Sequence, residues 1–314
     1  MSERMNKGIP LVSIICPAYN HQSYIAKALD GFVMQKTNFE FEIIIHDDAS
    51  TDNTVQIIKQ YEARYPHLFV NIYQTENQFS KSIHNISKIC FAKARGKYIA
   101  LCEGDDYWSD QYKLQKQVDF LENNPAYSIC FTRGLVRNSF LNTESVNSDI
   151  ESGVELNVGD FIKENSQLTA TTVFARNSNF KWPEWLNDSP FGDWGLYLLL
   201  MHGSAKKAWC LPDITTVYLI HASGMHGNLH ESNLKLINAY KMHLLFYNLI
   251  KANLFLKNYR IEISNAISER ITILTRLYIA EKSVAKGIYL NCSYLFKGLK
   301  LRTFVSNFKL IAKK

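Results

Sequence analysis

Three apolar, β-branched runs in the first third of the chain each end in a cluster of polar residues. "LVSIICP" leads into "AYN", "FEIIIHDD" into "ASTDNT", and "KYIALC" into "EGDDYW". Segments with helical spacing separate them. Ile25, Ala28, Leu29 and Phe32 follow the first run, Val55, Ile58 and Tyr61 the second, and Ile83, Ile86 and Cys90 precede the third. Continuous apolar strands alternating with helices specify a parallel sheet covered on both faces, a narrow class of folds. Ligands of such sheets bind beyond the carboxyl ends of the strands. The three polar clusters, far apart in sequence, are therefore expected to converge on one edge.

The local signals fill in this frame. "LFVNIYQ" is expected to add a strand. Ser50 or Thr51 is placed to cap a helix starting near Asp52, and Gly96 is placed as the glycine after the third helix. From 127 to 227 the pattern is mixed. "YSICFT" and "TATTVFAR" read as strands, "DWGLYLLLMHGS" as a helix, and "ITTVYLIHASGMHGN" as a strand entering a glycine-containing loop. Beyond about Glu231 the chain reads as mostly helical. The 314 residues are 46% hydrophobic, which supports a large core and excludes a disordered chain.

Charge narrows the partners. From Glu281 to Lys314 there are eight basic residues and one acid, and the rest is nearly neutral, with 27 basic and 28 acidic residues. A nucleic-acid binder would carry its basic residues along one working face, so that class is not favoured. The six cysteines form no CxxC pair and no zinc spacing. No segment has the signature of a signal peptide or the length of a membrane span, so a reduced, cytoplasmic protein is expected.

Glu103, Asp105 and Asp106 crowd three carboxylates into four positions. One reading is a solvated turn capping a helix that starts near Ser109. The other is a hard-cation site, because oxygen ligands hold divalent metals and a cation relieves the repulsion among clustered acids. Placement at a strand end beside two other polar clusters favours the cation. In "HDDASTDNT", Ser50 or Asp52 suits a cap, whereas Asp47 and Asp48 emerge directly from a strand and can accept a hydrogen bond from a base N–H.

"VSIICPAYNHQSYIAKALDGFVMQ", "FEIIIHDDASTDNT" and "ARGKYIALCEGDDYW" together resemble the nucleotide-sugar domain of glycosyltransferase family 2, in order, spacing and strand context. The resemblance covers roughly residues 10–227. It implies a GT-A type, Rossmann-like, mostly parallel α/β sheet with helices on both faces, followed by a C-terminal helical region. It implies a catalytic domain over 1–227, with a nucleotide-sugar half at about 10–126 and an acceptor half at about 127–227. The helical extension would be 228–314. By resemblance, Pro17, Tyr19 and Asn20 line the nucleotide loop. Asp47 or Asp48 reads the base, usually uracil, with Asp48 favoured. Glu103 and Asp105 stand in the family's Asp-x-Asp places, with Asp105 on Mg²⁺ or Mn²⁺ and Asp106 beside it. A glutamate at 103 departs from the usual pattern.

"SPFGDWGLYLLLMHG" resembles the family's Glu-Asp segment, with Gly192 in the glutamate's place and Asp193 as general base; alone, Asp193 reads as a helix N-terminal acid. "YLIHASGMH" resembles a Tyr-x-x-His-Gly-Gly segment and brings His221, and less directly His226, towards the diphosphate or metal. Trp182, Trp185 and Trp194 offer stacking surfaces for a sugar, although core packing is the usual fate of tryptophan. The implied activity is an inverting transfer from a nucleoside-diphosphate sugar to a saccharide or lipid-linked saccharide in bacterial surface polysaccharide synthesis.

A nucleotidyltransferase would carry a glycine-rich basic loop after the first strand, and "PAYNHQS" has no glycine, lysine or arginine. A catalytically silent saccharide-binding protein would have lost Asp105 or Asp193, and both are present. Leu301, Phe304, Val305, Phe308 and Ile311 share one face of a basic terminal helix, which suits either an anionic membrane surface or docking on the protein.

Overall fold

The apolar runs form the strands they specify. In the computed structural model these are β1 (Val12–Ala18), β2 (Phe41–Asp47), β3 (Ile72–Tyr73) and β4 (Tyr98–Leu101). β1 pairs in parallel with β2 and β4, and β2 with β3. Five consecutive residues of β1, Val12 to Cys16, are buried, so both faces of the strand are covered. The structure describes residues 8–148, 153–176, 182–202, 206–221, 224, 232–253, 258–296 and 300–312.

The helices between these strands are α1 (Ile25–Val33), α2 (Thr54–Arg64), α3 (Asn85–Lys93) and α4 (Lys113–Asn123). Ile25, Ala28, Leu29 and Phe32 of α1 and Leu114, Val118 and Leu121 of α4 join Val12, Ile14, Ile43 and Ile45 in one core. Gly96 does not close α3, whose last turn is followed by Ala94 in extended conformation. It lets the loop approach β1: a Cβ there would lie 2.5 Å from the Ser13 nitrogen. The same end of the sheet holds a buried network. Ser13 Oγ donates to Glu42 Oε1 at 2.6 Å, and the Arg95 amide and guanidinium donate to the same carboxylate.

The later strands are β5 (Tyr107–Trp108), β6 (Tyr127–Asn138), β7 (Thr143–Val146), β8 (Val154–Leu156), β9 (Val173–Ala175) and β10 (Lys207–Ile220). The sheet order is β3-β2-β1-β4-β9-β6-β10-β5, with β7 on β6 and β8 on β10. β6 and β10 are parallel, but β9 runs antiparallel to both β4 and β6. Only part of "TATTVFAR" extends, because Thr169–Thr171 forms a 3₁₀ turn and leaves three residues for β9.

The chain divides into two compact units. The first holds residues 1–157, 166–183 and 199–224, and the second 158–165, 184–198 and 225–314. Residues 158–165 and 184–198 thus group with the C-terminal helices rather than with the sheet. The second unit contains α5 (Val158–Lys163), the first turns of α6 (Gly192–His202), α7 (Asn233–Ala252), α8 (Arg260–Ala280), α9 (Val284–Phe296) and α10 (Leu301–Ala312). Trp194 is 3% exposed there, and its indole N–H donates to the Phe161 carbonyl at 2.6 Å. It packs against Phe191, Phe246 and Tyr247, so this tryptophan is core rather than a sugar platform.

A polar ladder docks α10. Asn307 Nδ2 donates to Asn291 Oδ1, Asn291 Nδ2 to Thr275 Oγ1, and Thr275 Oγ1 to the Ile271 carbonyl, each at 2.8 Å. The helix leaves Leu301 and Val305 exposed, at 67% and 44%, beside Arg302 and Lys309. Among the described residues, no helix is long and apolar enough to cross a membrane.

Candidate functional site

The three polar clusters meet at the carboxyl ends of β1, β2 and β4, tied together largely by backbone amides. The Asp48 amide donates to the Ala18 carbonyl and the Gly104 amide to the Pro17 carbonyl, both at 2.9 Å. The loop after β1 is stitched to the loop after β2. The Asn20 amide donates to Ser50 Oγ at 2.9 Å, and Asn20 Oδ1 accepts from the Thr51 amide at 2.8 Å. The His21 amide reaches Thr54 Oγ1, and the Gln22 amide reaches Asp52 Oδ2. Asp52 Oδ1 accepts from the Thr54 amide, so Asp52 braces the entry of α2 while Asn53 occupies the cap position without a side-chain bond. Asn20 and Ala49 adopt φ of 54° and 64°. Asparagine tolerates this left-handed region, whereas alanine is strained there. Tyr19, beside this stitched loop, is 45% exposed.

Asp47 and Asp48 are both buried but differently engaged. Asp48 Oδ1 accepts from the Gln78 amide at 2.7 Å and Oδ2 from the Phe79 amide at 3.0 Å, which fixes the loop after β3. Asp47 Oδ2 accepts from the Ser50 amide at 3.1 Å. Its Oδ1 is buried with no hydrogen-bond partner among the described residues.

The acidic turn does not cap a helix. α4 begins at Lys113, and Asp110 serves its entry by accepting from the Tyr112 amide. Residues 103–106 instead fold back on themselves, with the Asp106 amide donating to the Glu103 carbonyl. Asp106 is 2% exposed, and its Oδ1 accepts from the Leu219 amide of β10 at 2.9 Å. Its Oδ2 is buried with no hydrogen-bond partner among the described residues. Burial first, then the neighbouring Glu103 and Asp105 charges, push the Asp106 carboxyl well above the usual carboxylate range.

β10 delivers His221 to the same turn. Its Nε2 lies 3.1 Å from Asp105 Oδ2, and its ring packs against Tyr24 at 4.4 Å between centroids, tilted by 30°. His21 Nε2 lies 3.8 Å from the same oxygen. Burial lowers the His21 pKa, with Asp105 opposing the shift. Gly104 admits that imidazole, since a Cβ there would meet His21 Nδ1 at 2.9 Å. Pro17, Tyr19, Asn20, Asp47, Asp48, Glu103, Asp105, Asp106 and His221 all belong to the first unit. His226 lies outside the described residues.

His21 and the Leu219 amide are participants that the sequence did not reveal. A loop histidine has no distinguishing spacing, and a backbone amide has no side-chain signature. Trp182 stands with His84, Phe91 and Lys88, within 6.0 Å of each by ring centroid. Among the described residues, no group of three His, Cys, Asp or Glu side chains has a metal-ligating arrangement. What the turn offers a divalent cation is the Asp105 carboxylate and the buried Asp106 oxygen. That suits an ion that takes one or two protein carboxylates and draws its other ligands from phosphate and water.

Asp193 lies in the second unit, in the first turn of α6. Its Oδ1 accepts from the Trp194 amide at 2.7 Å and its Oδ2 from Asn165 Nδ2 at 3.0 Å. A Cβ at Gly192 would meet no described atom within 4 Å.

The family model "Glycosyl transferase family 2" matches residues 13–178. An uncharacterized protein of Mycobacterium tuberculosis is 38% identical over 228 residues, covering 71% of this chain. The chain spans 63% of that relative's length. The Escherichia coli UDP-Glc:alpha-D-GlcNAc-diphosphoundecaprenol beta-1,3-glucosyltransferase WfaP is 27% identical over 234 residues, 74% of this chain and 86% of WfaP. Staphylococcus aureus TarS, solved with UDP-GlcNAc, superposes with a TM-score of 0.58 at 17% identity, over 91% of this chain and 92% of that one. Mannosyltransferase PcManGT of Pyrobaculum calidifontis, solved with GDP-Man and Mn²⁺, gives 0.57 at 15% identity, over 98% and 81%. At such identities the two structures establish the fold alone.

Proposed function

Because this chain belongs to glycosyltransferase family 2 and carries the GT-A fold, we propose that it transfers a sugar from a nucleoside-diphosphate donor to a saccharide hydroxyl. The donor is a UDP-sugar and the acceptor a saccharide or lipid-linked saccharide, in the assembly of a bacterial surface polysaccharide. The convergence of the three acidic and polar loops, with Asp105 against His221 at 3.1 Å, carries this reading. The UDP-Glc:alpha-D-GlcNAc-diphosphoundecaprenol glucosyltransferase activity of WfaP supports the UDP donor and the lipid-linked acceptor.

Each group has a task. Tyr19 and Asn20 border the nucleotide, with Pro17 beneath the loop. Asp47 and Asp48 offer acceptors to a base N–H, and Glu103 and Asp105 face ribose and diphosphate. Asp105 and Asp106 would hold Mg²⁺ or Mn²⁺, with His221 steadying Asp105, and the ion when bound would act as a Lewis acid and offset charge on the leaving diphosphate. The buried, unpartnered Asp106 oxygen fits that assignment. Asp193 takes the proton of the acceptor hydroxyl. That oxygen then bonds to the anomeric carbon from the face opposite the diphosphate. The bond to the diphosphate breaks and its electron pair leaves with UDP, so the configuration inverts.

The test is UDP release from UDP-Glc and UDP-GlcNAc with a diphosphoundecaprenol-linked sugar, with the new linkage assigned by NMR. An inverted linkage, lost in Asp193→Asn, supports the reading. Retention of configuration, or full activity in that variant, excludes it. The exposed Leu301, Arg302, Val305 and Lys309 also support peripheral contact of the 297–314 tail with an anionic membrane. Leu301→Glu with Val305→Glu should reduce pelleting with anionic liposomes, and unchanged pelleting would exclude that contact.

A further inference from the structure

We propose that Asn165 is a positioning residue for Asp193, holding the acceptor-activating carboxylate in one orientation; this rests on the reading of Asp193 as the base. Asn165 Nδ2 donates to Asp193 Oδ2 at 3.0 Å, while the Trp194 amide holds Oδ1 at 2.7 Å. With a donor on each oxygen, the carboxylate cannot rotate freely about its side-chain bonds. The amide's orientation is fixed by charge, since its oxygen would be repelled by the carboxylate.

The support for Asn165 is itself anchored. It stands two residues beyond α5, whose final carbonyls would lack intrahelical partners. Three successive ones are answered from three other helices. Phe161 accepts from the Trp194 indole of α6, Ile162 from the Tyr247 hydroxyl of α7, and Lys163 from the Arg270 guanidinium of α8. This restraint ends at Lys163, two residues before the one that touches Asp193. Asn165 Oδ1 is also buried with no hydrogen-bond partner among the described residues.

A hydrogen bond to the ionised form favours ionisation, so losing the Asn165 donor raises the pH at which Asp193 becomes a competent base. Charged groups close to it along the chain or joined to α5 through α8 include Asp160, Lys163 and Glu164, Asp188 before α6, and the Arg270–Glu269 pair of α8. His243 of α7 lies edge-on to Trp194 at 5.4 Å, and burial brings its pKa down to about 4, so it stays neutral over the working range.

The experiment measures kcat, donor KM and the pH profile of UDP release on the full chain, with thermal melting as the folding control. Asn165→Leu should lower kcat on the order of 10- to 100-fold. Donor KM should stay within about twofold, and the acid limb of the kcat profile should move to higher pH. Asn165→Ser, which keeps a short donor, should fall between it and the native chain; it also serves if the leucine variant does not fold. Unchanged kcat and an unmoved acid limb in a folded variant would overturn the proposal. If Asp193→Asn itself turns over normally, the base reading fails and the proposal with it. An inactive Asp193→Asn beside a native-like Asn165→Leu overturns the positioning role alone.

Discussion

The sheet edge at Asp105 and the helical interior at Asn291 both bury polar side chains, with opposite electrostatics. At Asn291 each donor meets a neutral acceptor, from Asn307 through Thr275 to a backbone carbonyl. At the edge, burial first and then the like charges of Glu103 and Asp105 raise the Asp106 pKa. A neutral ladder finds its acceptors within the protein and specifies packing. A cluster of repelling acids is incomplete without a cation or donors from outside. The Asn291 ladder is therefore expected to serve stability, whereas the sheet edge is expected to give up stability if, as proposed, it binds a ligand.

That contrast can be broken by mutation. The largest effect is expected at the edge: Asp105→Ala should lower sugar transfer on the order of a thousandfold. Its melting temperature should change little, because the repulsion from Glu103 and Asp106 that is removed offsets the lost His221 contact. A large fall in melting temperature would make Asp105 a structural residue. Asn291→Leu should do the reverse, costing about 2–3 kcal/mol through the orphaned Thr275 and Asn307 groups. UDP affinity should stay within about twofold, so chemical denaturation and calorimetry on the same variant separate the two outcomes.

Lys113 sharpens the comparison inside the first unit, because it is a fully buried charge away from the acidic turn. Its ammonium donates to Gln117 Oε1 at 2.5 Å and sits over the Trp108 ring, and burial lowers its pKa from 10.5 to about 7. Below pH 7 it is protonated in both folded and unfolded chains, so the full burial cost is present. As the pH rises from about 7 to 10.5 the folded chain holds fewer protons than the unfolded one, and stability increases. Lys113→Met should therefore stabilise by about 1–2 kcal/mol at pH 6, and the gain should shrink by pH 9.5. A constant difference across that range would show that no titration is involved. The smallest change is expected at Ala49, where glycine should relieve the strain of φ 64° by about 1 kcal/mol or less. Equal melting temperatures would mean that the strain is balanced by the entropy of glycine.

The first four strands were legible because a strand buried on both faces must be continuously apolar. The acids were legible because such strands end where ligands bind. Those signals located the polar loops, and the structure brings them together. The rest depends on features that leave little trace in sequence. Nothing marks 158–165 and 184–198 as belonging with the C-terminal helices, because no glycine- or proline-rich linker flags a boundary. The shortness of β9 follows from a 3₁₀ turn in a threonine run that reads equally well as strand. The start of α4 lies four residues beyond Ser109, where Asp110 satisfies the Tyr112 amide. Asp48 was read for its charge, but the Gln78 and Phe79 amides that hold it carry no side-chain signature. Lys113, which is fully buried, reads in sequence as an ordinary helix-surface lysine.

The most direct test of the ligand-dependent edge is calorimetric titration of UDP into the native chain and Asp105→Ala, each with Mn²⁺, with Mg²⁺ and with EDTA. The account predicts binding to the native chain that requires a divalent metal and is lost in the variant. Equal UDP binding in EDTA and in Asp105→Ala would contradict it, and so would no binding of UDP by the folded native chain under any metal.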